Sequence, residues 1–373
     1  MNIRLTNLWP AVSRRARRGV LVAVTGFGLG FAAPAQAQTD LSGERVNMII
    51  PYQEGSGSTI HGRLFAIGLE KHLPGQPTII VENIDGGGSV RGINQFAARA
   101  NPDGLDIAAI ATGTFFQYLL KDPAVEYDLP SFRPFLASPF GLLVYASTDM
   151  ATSDDSVENV RQLIENPPIY GASGPTSSDL PVLLSFSLLG IKPQYVFGLS
   201  NAETRAGFER GEFGLNYDNM ASWAQAVKPL VDDGTARPLF TLGFEENGKI
   251  VRDPMLPDVP TFLEIYEAIN GKPLEGIEYE VWKAAFNIRV MGSKMLVLPA
   301  DTSDEIVAQY ADAAEAAVEG DEFKTEAAQA TLGEYPQRVG ADAETVFKAS
   351  LEMSDEARAW LFDWLESEFD VSR

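Results

Sequence analysis

Apolar and polar positions along this chain repeat one arrangement: a short apolar run, a loop of small residues, then apolar positions at helical spacing. Residues 46–50 (V-N-M-I-I) read as a buried parallel strand closed by Pro51. A loop runs through Tyr52, Gly55, Ser56, Gly57 and Ser58. Ile60, Leu64 and Ile67 follow at i, i+4 and i+7, which predicts a helix with those three on one face. Ser56, Ser58 and Thr59 are N-cap residue types. Pro74-Gly75 breaks the helix, residues 76–81 form a second predicted strand, and Gly86-Gly87-Gly88 precedes helical spacing at Val90, Ile93 and Ala97. The turn Asn101-Pro102-Asp103-Gly104 leads to a third strand over 105–111 and a short helix over 115–120.

The arrangement then restarts. Residues 142–146 read as a strand, and Val157, Val160, Leu163 and Ile164 suit a helix. After Pro167-Pro168 comes a strand over 169–172, the loop 173–179 (S-G-P-T-S-S-D), and a helix carrying Leu180, Leu183, Leu184 and Leu188. Strands are predicted at 195–197, 214–217 and 238–242, with a helix over 202–209. Beyond Pro254 the pattern changes to a proline-rich connector, a strand-like stretch over 282–290, and helices over 302–318, 323–331 and 354–369. The last has Ala357, Trp360, Leu361, Trp364 and Leu365 on one side.

Strands alternating with helices predict an α/β fold with mainly parallel sheets, whose ligands bind beyond the strand C-terminal ends. Two lobes are expected: residues 38–143 plus 245–373 form the first, and 144–244, inserted, the second. Crossings near Val144 and Thr241 form the hinge.

Composition narrows the classes. With 51 acidic and 29 basic residues the net charge is −22, which argues against a nucleic-acid partner. An anionic ligand remains compatible, since surface charge is screened within roughly 10 Å at 0.1 M salt. With no cysteine there is no disulfide, thiol chemistry or Cys–metal site. Arg14, Arg15, Arg17 and Arg18, an apolar stretch over 20–33 and Ala35-Gln36-Ala37 read as a secretory signal cleaved near Ala37. The mature protein is expected in the periplasm, exported by either the general or the twin-arginine route.

No catalytic set emerges. The two histidines, His61 and His72, are eleven apart on one helix, too far for neighbouring metal ligands, and His61 is expected to be exposed. No HExxH, G-x-S-x-G or Walker motif occurs, and Asp154-Asp155 and Glu245-Glu246 read as solvated charges. No metal and no cofactor are implied. What remains is a small-residue loop in each lobe at a helix start, where free N–H groups and the helix dipole suit a carboxylate.

A set of segments, in order, carries a family resemblance: Pro51-Tyr52 with Gly55 and Arg63; Val81-Glu82-Asn83 with Gly86–Gly88; Asn101-Pro102-Asp103-Gly104; Tyr170-Gly171-Ala172-Ser173-Gly174-Pro175; Arg210-Gly211-Glu212 before Asp218; Ala236-Arg237-Pro238-Leu239; and Pro257-Asp258-Val259-Pro260-Thr261 with Glu264. Over about residues 46–315 the chain resembles the extracytoplasmic solute-binding proteins of tripartite tricarboxylate transporters. The resemblance implies a two-lobed Venus-flytrap fold. It implies an organic-acid ligand held by loop amides, hydroxyls and ordered water, and permease subunits as partners. Carried to matching positions, the site comprises Tyr52, Gly55, Ser56, Gly57, Ser58 and Thr59 in the first lobe. In the second it comprises Ser173, Thr176, Ser177, Ser178, Phe197 and Asp218, while Arg63 supports the first loop. Thr59 stands where the family often has Asp, and Phe197 where it has a polar or basic residue, which points to a less amine-like, more apolar carboxylate. An extracytoplasmic hydrolase or transferase, and presentation of ligand to a sensor kinase, are the alternatives. An aspartate at Ser177 is expected to abolish binding and barely alter the melting of the ligand-free protein.

Overall fold

The computed structural model describes residues 39–371; the predicted signal and its cleavage site lie outside them. Four strands come first: β1 (Arg45–Ile50), β2 (Thr78–Asn83), β3 (Asp106–Ala111) and β4 (Arg133–Ser138). The chain then builds a second sheet from β5 (Leu142–Ser147), β6 (Ile169–Ala172), β7 (Gln194–Phe197), β8 (Leu215–Asn219) and β9 (Ala236–Thr241). A hairpin, β10 (Phe244–Glu246) and β11 (Lys249–Val251), follows. The chain returns to the first sheet with β12 (Lys294–Leu298) and β13 (Arg338–Val339). The sheet orders are β13-β4-β12-β3-β1-β2 and β7-β6-β8-β5-β9. In the first, β1 to β4 run one way and β12 and β13 the other; in the second only β5 opposes its neighbours. In both sheets most strands therefore run one way, and helices flank them, the two-lobed α/β architecture that the pattern predicts.

Two expectations fail, for one reason: apolar residues were plentiful on more than one face. The helix Gly57–His72 does not bury Ile60 and Ile67, which are 50% and 59% exposed. It buries His61, Phe65, Ala66 and Leu69 instead, so His61 is not an exposed residue. Glycines select this face. A methyl group at Gly62 would lie 2.6 Å from Ile50 Cδ1, and one at Gly68 would lie 2.6 Å from Ala317 Cβ on the helix Asp304–Glu319. Only the small residues let the helix sit this close. The stretch 282–290 is likewise not a strand. It ends the helix Gly276–Phe286 and enters a wider turn, Asn287–Met291. Unbroken apolarity fits a buried helix as well as a buried strand.

That helix packs beside the helix Leu180–Leu189 of the second sheet, where buried Trp282 donates to Ser185 Oγ at 3.0 Å. From there residues 287–293 run to β12, in the middle of the first sheet. Phe140 N–H donates to the Val290 carbonyl at 2.9 Å, and Thr112 N–H to the Ser293 carbonyl at 3.3 Å. This crossing joins the two sheets in addition to the links from β4 to β5 and from β9 to the hairpin. At the first link, a methyl group on Gly141 would fall 1.8 Å from Asp253 Oδ2 and 2.2 Å from the Tyr335 hydroxyl.

Candidate functional site

The parallel strands β1, β2 and β3 end at one edge of the first sheet, and three loops leave from there. In the loop after β1, Ser56 caps the helix Gly57–His72 by accepting from Thr59 N–H at 3.2 Å. The buried Thr59 hydroxyl donates to the Gln53 carbonyl at 2.8 Å. Asn83, at the end of β2, donates to Thr59 Oγ1 and to the Tyr52 carbonyl, both at 2.8 Å. Arg63 reaches Asn83 Oδ1 at 3.4 Å. Tyr52 turns inward, its hydroxyl 3.3 Å from that of Thr114, which donates to Ser89 at 2.9 Å. Thr59 and Tyr52 therefore shape the loop. Gly55 and Gly57 are exposed with open space around them, and Ser58 is half-buried beside them. The first N–H groups of the helix, those of Gly57 and Ser58, have no acceptor within it.

The second-lobe loop is built differently. Its donors converge on the chain's own carboxylate. Asp179 Oδ2 accepts from Ser173 N–H at 2.7 Å, Gly174 N–H at 3.2 Å and Ser177 Oγ at 2.8 Å, while Oδ1 accepts from the Tyr217 hydroxyl at 2.5 Å. Asp179 is buried, and Thr176 and Ser178 are half-buried in the same loop. Asp218 is buried too. Arg205 grips it through both nitrogens of its fork, Nε at 3.0 Å, and the Tyr145 hydroxyl donates at 2.9 Å. Burial pushes the Asp218 carboxyl up despite Arg205. Phe197 stacks on Tyr195 and packs against Phe369 of the C-terminal helix, centroids 5.4 and 5.8 Å away.

Between the lobes lies a pocket of about 440 Å³. Gly57 and Ile60 line it from the first lobe, Asn219, Ser222 and Gln225 from the second, and Phe140 and Lys294 from the crossings. Of the residues anticipated from sequence, Gly57 alone lines it. Lys294 is the important addition. As the first residue of β12 it pairs with Ala111 and Ser138, at the edge where the parallel strands end. Its Nζ lies 3.8 Å from the Phe140 ring centroid, and no hydrogen bond or ion pair joins its side chain to another described residue. Burial, with Arg289 nearby, lowers the ammonium pKa to about 7. Asn219 adds a buried Oδ1 that accepts from no described residue. Arg289 itself is 5% exposed, its guanidinium 5.8 Å from the Tyr217 ring centroid.

A serine does meet His61: Ser138 Oγ lies 2.7 Å from Nε2. Ser138, however, donates its proton to Gln337 Oε1, so Nε2–H is the donor in the His61 contact. A general base needs the opposite polarity. Both side chains are buried and neither lines the pocket.

No family model matches the chain, and no curated protein matches it in sequence. Solved structures do match in fold. A TctC solute-binding protein from Polaromonas is 18% identical with a TM-score of 0.63, over 87% of this chain and 98% of that one. MatC from Rhodopseudomonas palustris, solved with malate, is 20% identical with a TM-score of 0.57, over 85% and 99%. The R. palustris protein Rpa4515, solved with adipate, is 18% identical with a TM-score of 0.59, over 88% and 98%. The chain has the two-lobed fold of these solved structures.

Proposed function

We propose that this chain is a periplasmic solute-binding protein that captures an organic acid between its lobes and passes it to the permease subunits of a membrane transporter. The observation that carries the reading is Lys294. In a chain with 51 acidic residues, a half-buried ammonium stands in an interlobe pocket with no ion pair to a carboxylate among the described residues. The N-terminus of the 16-residue helix Gly57–His72 opens onto the same pocket, and its free N–H groups and dipole add positive potential. An acid seated there touches both lobes. The fold supports the reading, and two proteins that share it were solved with malate and adipate. Export follows from the Arg-rich leader and Ala35-Gln36-Ala37. On this reading the ligand leaves unchanged, and the serine–histidine contact found among the described residues has the wrong polarity for catalysis.

A melting screen of mono-, di-, tri- and aromatic carboxylates tests capture: an acid at 100 times its Kd adds roughly 2.7 kcal/mol to stability. Lys294 gives the result a pH signature. The bound anion raises the ammonium pKa in the complex, so affinity is full below pH about 7 and falls as pH rises through that value. His61, held well below its ordinary pKa by burial and by Lys294, stays neutral. Lys294→Met should bind weakly at every pH. A screen in which no acid raises the melting temperature, or mass spectrometry showing the acid converted, would refute the proposal.

A further inference from the structure

The crossing that carries Lys294 carries a second cation, five residues earlier. Arg289 is buried, yet no hydrogen bond or ion pair joins its guanidinium to another described residue, and its Nε–H has no acceptor. It lies over the face of Tyr217, and its charge reaches Asp218, where it helps to hold that carboxyl's pKa down. The two buried acids on that side are already engaged: Asp179 by Ser173, Gly174, Ser177 and Tyr217, and Asp218 by Arg205 and Tyr145. A buried guanidinium without an acceptor is costly, and the fold retains it next to a second cation that it destabilises, since Arg289 helps to lower the Lys294 pKa. Its backbone neighbours place it between the lobes. Val290 accepts from Phe140 and Ser293 from Thr112 of the first lobe, while Tyr217 belongs to β8 of the second.

We propose that Arg289 is a second anion subsite of the interlobe cleft, receiving the far anionic group of a ligand whose first carboxylate is held at Lys294. This rests on the Lys294 pocket being the carboxylate site. The planar fork suits a carboxylate, which it can meet with two parallel N–H···O bonds. The ligand class is then an acid with two anionic groups, and lobe closure brings the second group onto Arg289.

Calorimetric titration of the exported protein with succinate, which has two carboxylates, and butyrate, which has one on the same four-carbon chain, tests it. The wild type should favour succinate by roughly thirtyfold, the scale of a desolvated charge pair. Arg289→Met should reduce that ratio to about one. Its ligand-free melting temperature should change little, because the substitution removes a buried charge that has no hydrogen bond or ion pair among the described residues, keeps apolar bulk and leaves Asp218 bonded to Arg205. Arg289→Lys, which keeps the charge without the fork, should retain part of the preference. Equal affinity for the two acids in the wild type, or a succinate preference that survives Arg289→Met, overturns the subsite and leaves capture standing. Should Arg289→Met fail to fold, the guanidinium is structural and the proposal falls. Titrations in which neither acid binds, with the wider screen also silent, overturn the capture reading itself.

Discussion

At the start of the helix Gly57–His72, Ser56, Thr59 and Asn83 close the turn with neutral groups, and the N–H groups of Gly57 and Ser58 have no acceptor in the helix. At the start of the helix Leu180–Leu189, Asp179 folds back and takes the N–H groups of Ser173 and Gly174 and the hydroxyl of Ser177. Both loops are short, glycine-bearing and rich in donors. A helix start made this way has the capacity for an anion. Whether that anion is a ligand or the chain's own acid turns on one side chain. In the second lobe the acid is built in, and two cations with no hydrogen bond or ion pair among the described residues stand on the crossing instead, Arg289 and Lys294.

The largest test of this contrast is Asp179→Ala. It removes the acceptor of three loop donors and of the Tyr217 hydroxyl in a buried site, and should cost about 3 kcal/mol or more in urea unfolding. A loss below about 1 kcal/mol would mean that the two loops are alike. Next comes Ser177→Asp. It sets a second carboxylate against Asp179 and removes a hydroxyl that donates to it, so the ligand-free protein should itself lose about 2–4 kcal/mol at an effective dielectric near 20. This replaces the expectation from sequence that only binding suffers, and differential scanning calorimetry without ligand separates the two. Smallest is Thr59→Val in the neutral loop. It breaks the bonds to Gln53 and Asn83 for about 1–2 kcal/mol, and the protein should still bind acid. Complete loss of binding in that variant, with the fold intact, would give the Thr59 hydroxyl a place on the ligand.

Much of the fold was legible in the sequence where punctuation was strong. Pro167-Pro168 and the loop after Ala172 fixed β6, and Pro51 closed β1. Helix faces were less legible. Ile60 and Ile67 marked one apolar face, whereas the packing face was set by Gly62 and Gly68, whose importance appears only against Ile50 and Ala317. The site was legible in part. Small-residue loops marked the sheet edge, but nothing in the loop 173–179 says that its aspartate closes on itself. Arg289 sits inside the apolar run I-R-V-M, and Lys294 opens the apolar run of β12. Each reads as a charge tolerated near a core, and sequence does not show that both lack a partner. A cation within a buried run was the available signal.

Gly141 has a consequence for how this sequence can vary. Its φ is ordinary, so no turn geometry demands glycine there. The demand comes from Asp253 and Tyr335, whose carboxylate and hydroxyl, hydrogen-bonded to each other at 2.8 and 2.9 Å, fill the space that a methyl group would need. Three positions spread from 141 to 335 along the chain are thus one unit of inheritance. A side chain can enter at 141 only once 253 and 335 have both given way, and losing the tyrosine first would strand a buried carboxyl whose burial already lifts its pKa to about 6. The path to any other residue at this joint therefore runs through a less stable protein.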